Sequence, residues 1–129
     1  MTALFKKLGV GKIDEILILN EPKGFCSELD KLGDEIKIRE SVVRTSEIDF
    51  ALIFVTEVSQ IQNRIQTVSP KLIGDTVIWF AFPTDTNKTK ITLENGWGVL
   101  GDYNLRQIDS TEITPEWTGI RFRKVEFIK

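Results

Sequence analysis

Three stretches of apolar residues, each the length of a strand, constrain this chain more than anything else in it. They are residues 15–20 (EILILN), 50–55 (FALIFV) and 76–82 (TVIWFAF). A strand covered on one face alternates apolar with polar residues, whereas a continuous apolar run suits a strand covered on both. Between the runs the spacing turns helical. Pro22, a residue favoured in a first helical turn, precedes Phe25, Leu29 and Leu32 at i, i+4 and i+7. Gly33 stands where a helix end takes a left-handed residue. Thr56 is the expected N-cap of a second helix over 57–73, with Val58, Ile61, Ile65, Val68 and Leu72 on one face and Pro70 tightening its last turn.

The remaining segments are weaker signals. Leu4, Phe5 and Leu8 predict a short helix that packs on the sheet, and residues 35–40 (EIKIRE) alternate as a short strand near an edge. Residues 41–48 and 84–90 are polar connections. Residues 91–100 read as a weak helix interrupted by Gly96 and Gly98. Residues 105–113 and 119–128 alternate on either side of a short turn holding Pro115, which predicts an antiparallel hairpin. The order is β-α-β-β-α-β-α-β-β, without an internal repeat. Right-handed crossovers then give an α/β, Rossmann-like three-layer sandwich: a mostly parallel sheet with a C-terminal antiparallel hairpin, in one domain over 1–129. Ile18, Phe54, Trp79 and Phe80 belong to its core, and Cys26 reads as a small buried hydrophobe.

Composition excludes much chemistry. The 129 residues contain no histidine and one cysteine. That removes Ser-His-Asp and Cys-His nucleophile systems, imidazole acid–base catalysis, His-ligated zinc and thiolate clusters. No catalytic residue and no metal site is assigned. The net charge of −2 argues against a general nucleic-acid or acidic-membrane binder. Arg121, Arg123 and Lys124 read as the solvent face of a strand. No apolar run nears the ~20 residues that span a bilayer, and the N-terminal MTALFKKLGV lacks the apolar core of a signal peptide. The expected setting is the cytoplasm, with no membrane or nucleic-acid partner and a homodimer left open.

The segments KLGVGK (7–12), ILILNEPKGF (16–25), IDFALIFV (48–55), IWFAFPT (78–84) and WTGIRF (117–122) resemble, in order and spacing, a small bacterial family known only as a domain of unknown function. The element order also resembles a shortened S-adenosylmethionine-dependent methyltransferase fold, whose sheet ends in an antiparallel strand pair. The resemblance to the small family carries no activity with it. Its members continue past the proline of the fourth segment with Lys, whereas Thr84 follows Pro83 here, which counts against an anion-binding role at that position.

In a doubly wound sheet the ligand crevice lies at the carboxyl ends of the parallel strands. That places Asn20, Lys23, Gly24, Thr56, Glu57, Thr84, Asp85, Asn87 and Lys88 around one edge. Glu40, 20 residues after Asn20, has the spacing of the acidic residue that holds ribose hydroxyls in such folds; the alternative is a solvated strand end. The first βα turn, Asn20-Glu21-Pro22-Lys23-Gly24-Phe25, keeps one glycine, and Pro22 offers no N–H. A pyrophosphate is poorly received there. A literal G-x-G-x-x-G at 96–101 lacks the helix that should follow it and holds the bulky Trp97 where a phosphate would sit, and reads as a chance match. Trp79, Trp97 and Trp117 read as core rather than stacking platforms. The expected function is a non-catalytic or degenerate Rossmann-like protein without a cofactor. The alternative is a methyltransferase-like enzyme, or an S-adenosylmethionine or nucleotide binder. In either case any ligand takes the crevice formed by Asn20, Lys23, Gly24, Glu40, Thr56, Thr84 and Lys88, and a mildly anionic one suits Lys23 and Lys88.

Overall fold

Each of the three apolar runs forms a strand, and all three lie side by side. The computed structural model describes residues 3–10, 15–31, 36–39, 48–72 and 74–128, the side chains of Ala3, Cys26 and Glu28 excepted. In chain order the elements are α1 (Ala3–Leu8), β1 (Glu15–Leu19), α2 (Cys26–Asp30), β2 (Lys37–Arg39), β3 (Phe50–Phe54) and α3 (Val58–Val68). They continue with β4 (Val77–Pro83), α4 (Gly98–Gly101), β5 (Leu105–Thr114) and β6 (Trp117–Lys124). The sheet runs β2-β1-β3-β4-β6-β5. The first four strands in that order are mutually parallel, whereas β6 is antiparallel to β4 and to β5. The fold is therefore the mixed α/β sandwich that the apolar runs and the terminal alternation predict.

The continuous runs have a physical cause. Successive side chains of a strand point to opposite faces. Leu17 and Leu19 of β1, Ala51 and Ile53 of β3, and Ile78, Phe80 and Phe82 of β4 join Ile61, Ile65 and Val68 of α3 in one core. Ile16 and Ile18, Phe50, Leu52 and Phe54, and Trp79 and Ala81 join Phe5 and Leu8 of α1 and Phe25 and Leu29 in a second core on the opposite face. Ile18, Phe54, Trp79 and Phe80 are all buried. The indole N–H of Trp79 donates to the Leu8 carbonyl at 2.7 Å, which ties the end of α1 to the sheet and satisfies the buried ring nitrogen.

Four local expectations are corrected. The helix after β3 is capped by Glu57, not Thr56. Gln60 reaches back, its Oε1 accepting the backbone N–H of Thr56 at 2.6 Å and of Glu57 at 3.3 Å, as the third residue of a capping box does. Residues 91–97 are a tight loop, and only Gly98–Gly101 is helical. Side chains there satisfy the backbone locally: Asn95 Nδ2 donates to the Lys90 carbonyl at 2.8 Å and Trp97 Nε1 to the Thr92 carbonyl at 2.7 Å. Gly96, at φ +106°, takes a conformation closed to helix. The helix after β1 is a 3₁₀ turn (Lys23–Phe25) followed by the five-residue α2; Leu32 and Gly33 lie outside the described residues. The last alternating run stops at Lys124, and Val125–Phe127 is a 3₁₀ turn whose first N–H donates to the Asn104 carbonyl at 2.9 Å. Pro70 does tighten the end of α3, in the 3₁₀ turn Ser69–Lys71.

Candidate functional site

The carboxyl ends of β1, β3 and β4 share one edge of the sheet. From β1 the chain passes outward to β2, and from β3 it passes the other way to β4, so the topological switch lies between β1 and β3. Two residues mark it. Asn20, directly after β1, has φ +59°, a left-handed geometry that asparagine tolerates and that a glycine often supplies. Its Nδ2 donates to the Phe54 carbonyl at the end of β3 at 3.4 Å, and its Oδ1 accepts from Arg64 Nη2 of α3 at 2.8 Å. Thr56 follows β3 across the switch.

On the β4 side of the switch a cleft of about 690 Å³ opens between the start of α3 and the loop after β4, walled by Thr56–Ser59 and Thr86–Lys90. The loop is held in place by its own polar groups. Thr89 Oγ1 donates to the Thr56 carbonyl at 2.7 Å, Asp85 Oδ1 accepts the Asn87 N–H at 2.9 Å, and the Lys88 N–H donates to the Asp85 carbonyl at 3.0 Å. A second groove of about 360 Å³ adjoins the first at Thr86 and runs over Phe82, Pro83, Thr84, Ile91, Leu93 and Thr118. Thr84 is fixed there by its N–H to the Glu116 carbonyl at 2.9 Å and by a 2.9 Å hydroxyl contact with Thr118.

The seven expected site residues thus separate. Thr56 and Lys88 line one cleft, and Thr84 lines its neighbour. Asn20 reaches the end of β3 but spends both side-chain polar groups on protein partners. Gly24 lines a groove on the opposite face, between Leu4 and Lys7 of α1 and the tip of the β5–β6 hairpin. Lys23 stands exposed in the 3₁₀ turn after β1. Glu40 lies outside the described residues. Arg64 and Lys90 are additions. A single arginine or lysine on a polar segment carries no signal in the sequence; only packing places them here. The 96–101 glycine motif forms no phosphate turn: Trp97 within it is buried against Phe80, Phe82 and Phe122. Trp79 is buried as well, and Trp117 packs its edge on Phe54.

The basic trio at the end of β6 is largely committed within the protein. Arg123 forms a two-pronged pair with Asp75 at 2.9 and 2.6 Å, and Lys124 Nζ donates to the Leu72 carbonyl. Arg121 Nε is buried and unpartnered among the described residues. Among those residues there is also no cluster of three or more metal-ligating side chains, and no helix is long and apolar enough to cross a membrane.

No family model and no curated protein matches the chain. Solved structures do, methyltransferases among them. An S-adenosylmethionine-dependent methyltransferase from Aquifex aeolicus aligns over 95% of this chain and 88% of its own at a TM-score of 0.61 and 13% identity. The N-methyltransferase NodS from Bradyrhizobium japonicum, in complex with S-adenosylhomocysteine, aligns over 95% and 84% at 0.59 and 13% identity. A ribosomal protein L11 methylase from Lactobacillus delbrueckii aligns over 94% and 77% at 0.61 and 12% identity. The chain therefore has the methyltransferase-like form of the Rossmann fold.

Proposed function

We propose that the protein is a methyltransferase-like domain that binds S-adenosylmethionine or S-adenosylhomocysteine at the carboxyl edge of its parallel strands, between the ends of β1 and β3. The observation that carries this is the switch point itself: strand order, parallel direction and polar strand ends combine there as in the folds it resembles. The first turn fits such a ligand better than it fits a dinucleotide. Pro22 deprives a pyrophosphate of an N–H donor, whereas an adenosyl sulfonium ligand carries no phosphate. Asn20 supplies the left-handed bend after β1 without a glycine. In this reading Asn20, Lys23 and Thr56 border the ligand, Glu40 takes its ribose hydroxyls, and Gly24, which lines the opposite groove, takes no part. The grooves lined by Thr56, Thr84 and Lys88 then belong to the second substrate, a small molecule rather than a nucleic acid. The cofactor would supply an activated methyl group. The proposal keeps the cytoplasmic setting and the grouping with the small bacterial family, both of which rest on the sequence.

A second reading, a relative that keeps the fold without binding the cofactor, is favoured by one observation. Both polar groups of the Asn20 side chain are spent on Phe54 and Arg64, and a single glycine remains in the turn. Thermal unfolding with S-adenosylmethionine, S-adenosylhomocysteine, NAD and nucleotides separates the two. A ligand present at about 100 times its Kd stabilises the folded state by about 2.7 kcal/mol. Stabilisation by S-adenosylhomocysteine, lost in Asn20→Asp, supports the first reading. No stabilisation by any of them supports the second.

A further inference from the structure

An apolar patch carries more meaning when it lines a cleft than when its residues are scattered singly. Among the described residues four large hydrophobic side chains are conspicuously exposed, and two of them, Val58 at 43% and Leu93 at 45%, line the two adjoining grooves at the carboxyl edge. The grooves meet at Thr86 but differ in character. The one over Phe82, Pro83, Ile91 and Leu93 is mostly apolar, and Glu94 also lines it. The other carries Lys88 and Lys90 against the single carboxylate of Glu57, so its formal balance is +1. Neither lysine's ammonium group has a hydrogen-bond or ion-pair partner among the described residues. The Asp85 turn and the Thr89–Thr56 hydrogen bond fix the backbone on both sides of Lys88.

We infer that these joined grooves take a small amphiphilic anion, an apolar or aromatic body bearing one carboxylate-like group, with the body over Leu93 and Ile91 and the anion between Lys88 and Lys90. The cations then gain the partner they lack, and Leu93 gains cover. Thr84 and Thr118, paired to each other, give the apolar half a neutral polar side. The inference uses the same sheet edge as the proposed cofactor site and names the class of its second substrate, but it needs no bound cofactor.

The test is an amide NMR titration of the full chain with 2-naphthoate and, separately, its uncharged analogue 2-naphthamide, both without S-adenosylhomocysteine. Naphthoate is expected to shift the amides of residues 56–59 and 86–94 and to bind about fivefold more tightly than naphthamide, the scale of two partly exposed charge contacts. In the Lys88→Ala/Lys90→Ala variant, naphthoate affinity should fall to that of naphthamide. In Leu93→Ser, affinity for both probes should fall together. Leu93 is exposed and the two lysines are surface groups, so the variants are expected to keep the dispersed spectrum of the parent. Saturable shifts elsewhere, equal affinity for the two probes, or no saturable shift with either would overturn the inference. Because the cofactor is absent from the titration, its failure to bind in the thermal experiment leaves this result standing.

Discussion

Gly119 shows what a single residue contributes here. It lies in β6 opposite Ala81 of β4, and a β-carbon built on it would sit 2.6 Å from Ile113 Cδ1, 2.9 Å from Ile113 Cγ1 and 3.2 Å from Trp79 Cε3. Its lack of a side chain lets Ile113 of β5 fold over the sheet onto Trp79. Gly119→Ala is expected to cost about 1–3 kcal/mol, the range for overpacking a filled core. Ile113→Val, which deletes the most crowded carbon, should return part of that loss when combined with it. Urea unfolding of the two single variants and the double variant measures the coupling, and purely additive costs would show that the methyl group finds room elsewhere. Nothing in WTGIRF reveals the overlap, since Ile113 and Trp79 reach Gly119 only through two antiparallel pairings.

Among elements, the turn before β4 and the end of β6 are joined by an ion pair in addition to the apolar pairing of Ile78 with Phe122. The guanidinium of Arg123 donates two hydrogen bonds to Asp75 and holds its carboxyl below the usual range; burial, the next effect in size, opposes this, and the charges of Arg123, Arg121 and Lys124 add to the lowering. A carboxyl with a lowered folded value stabilises the protein fully above its ordinary pKa and loses that contribution as pH falls through the folded value. Asp75→Asn should therefore be less stable than the parent at neutral pH, and the gap should close as the solution is acidified below the ordinary carboxylate range. Chemical denaturation across pH checks this, and a gap that does not change with pH would remove the ion pair as its cause. Elements also explain the corrected helix at 91–97. Its composition is tolerable for a helix, but Thr92, Asn95 and Trp97 satisfy backbone groups locally, and that competes successfully with a helix lacking a continuous apolar face.

For the whole molecule, stability should be graded across the sheet. β3 sits between β1 and β4, and all five of its residues are buried. β5 is an edge strand, mostly exposed, with two breaks in its register to β6. Native-state hydrogen exchange is expected to show β3 and β4 amides opening only with global unfolding, and β5 amides opening through smaller local events. Equal protection of β3 and β5 would mean that the sheet opens as one unit. The same gradient suits the carboxyl edge, where the loop after β4 is pinned at Thr56 yet exposed along most of its length.

The layers are legible along the chain. Apolar runs at 15–20, 50–55 and 76–82 leave few solutions other than strands covered on both faces, and the alternation from 105 onward dictates an antiparallel pair. The sequence also placed the candidate residues after β1, β3 and β4 along one sheet edge, because parallel strands end together. The composition of the clefts is not legible in the sequence. Which candidate side chains share a cleft depends on crossovers between segments far apart in sequence: Thr56 meets Lys88 and Lys90, Asn20 is taken up by Phe54 and Arg64, and Gly24 turns to the opposite face. Periodicity reports the environment of a residue along its own element, whereas a site is made of the distances between elements, and those are set only when the two cores close.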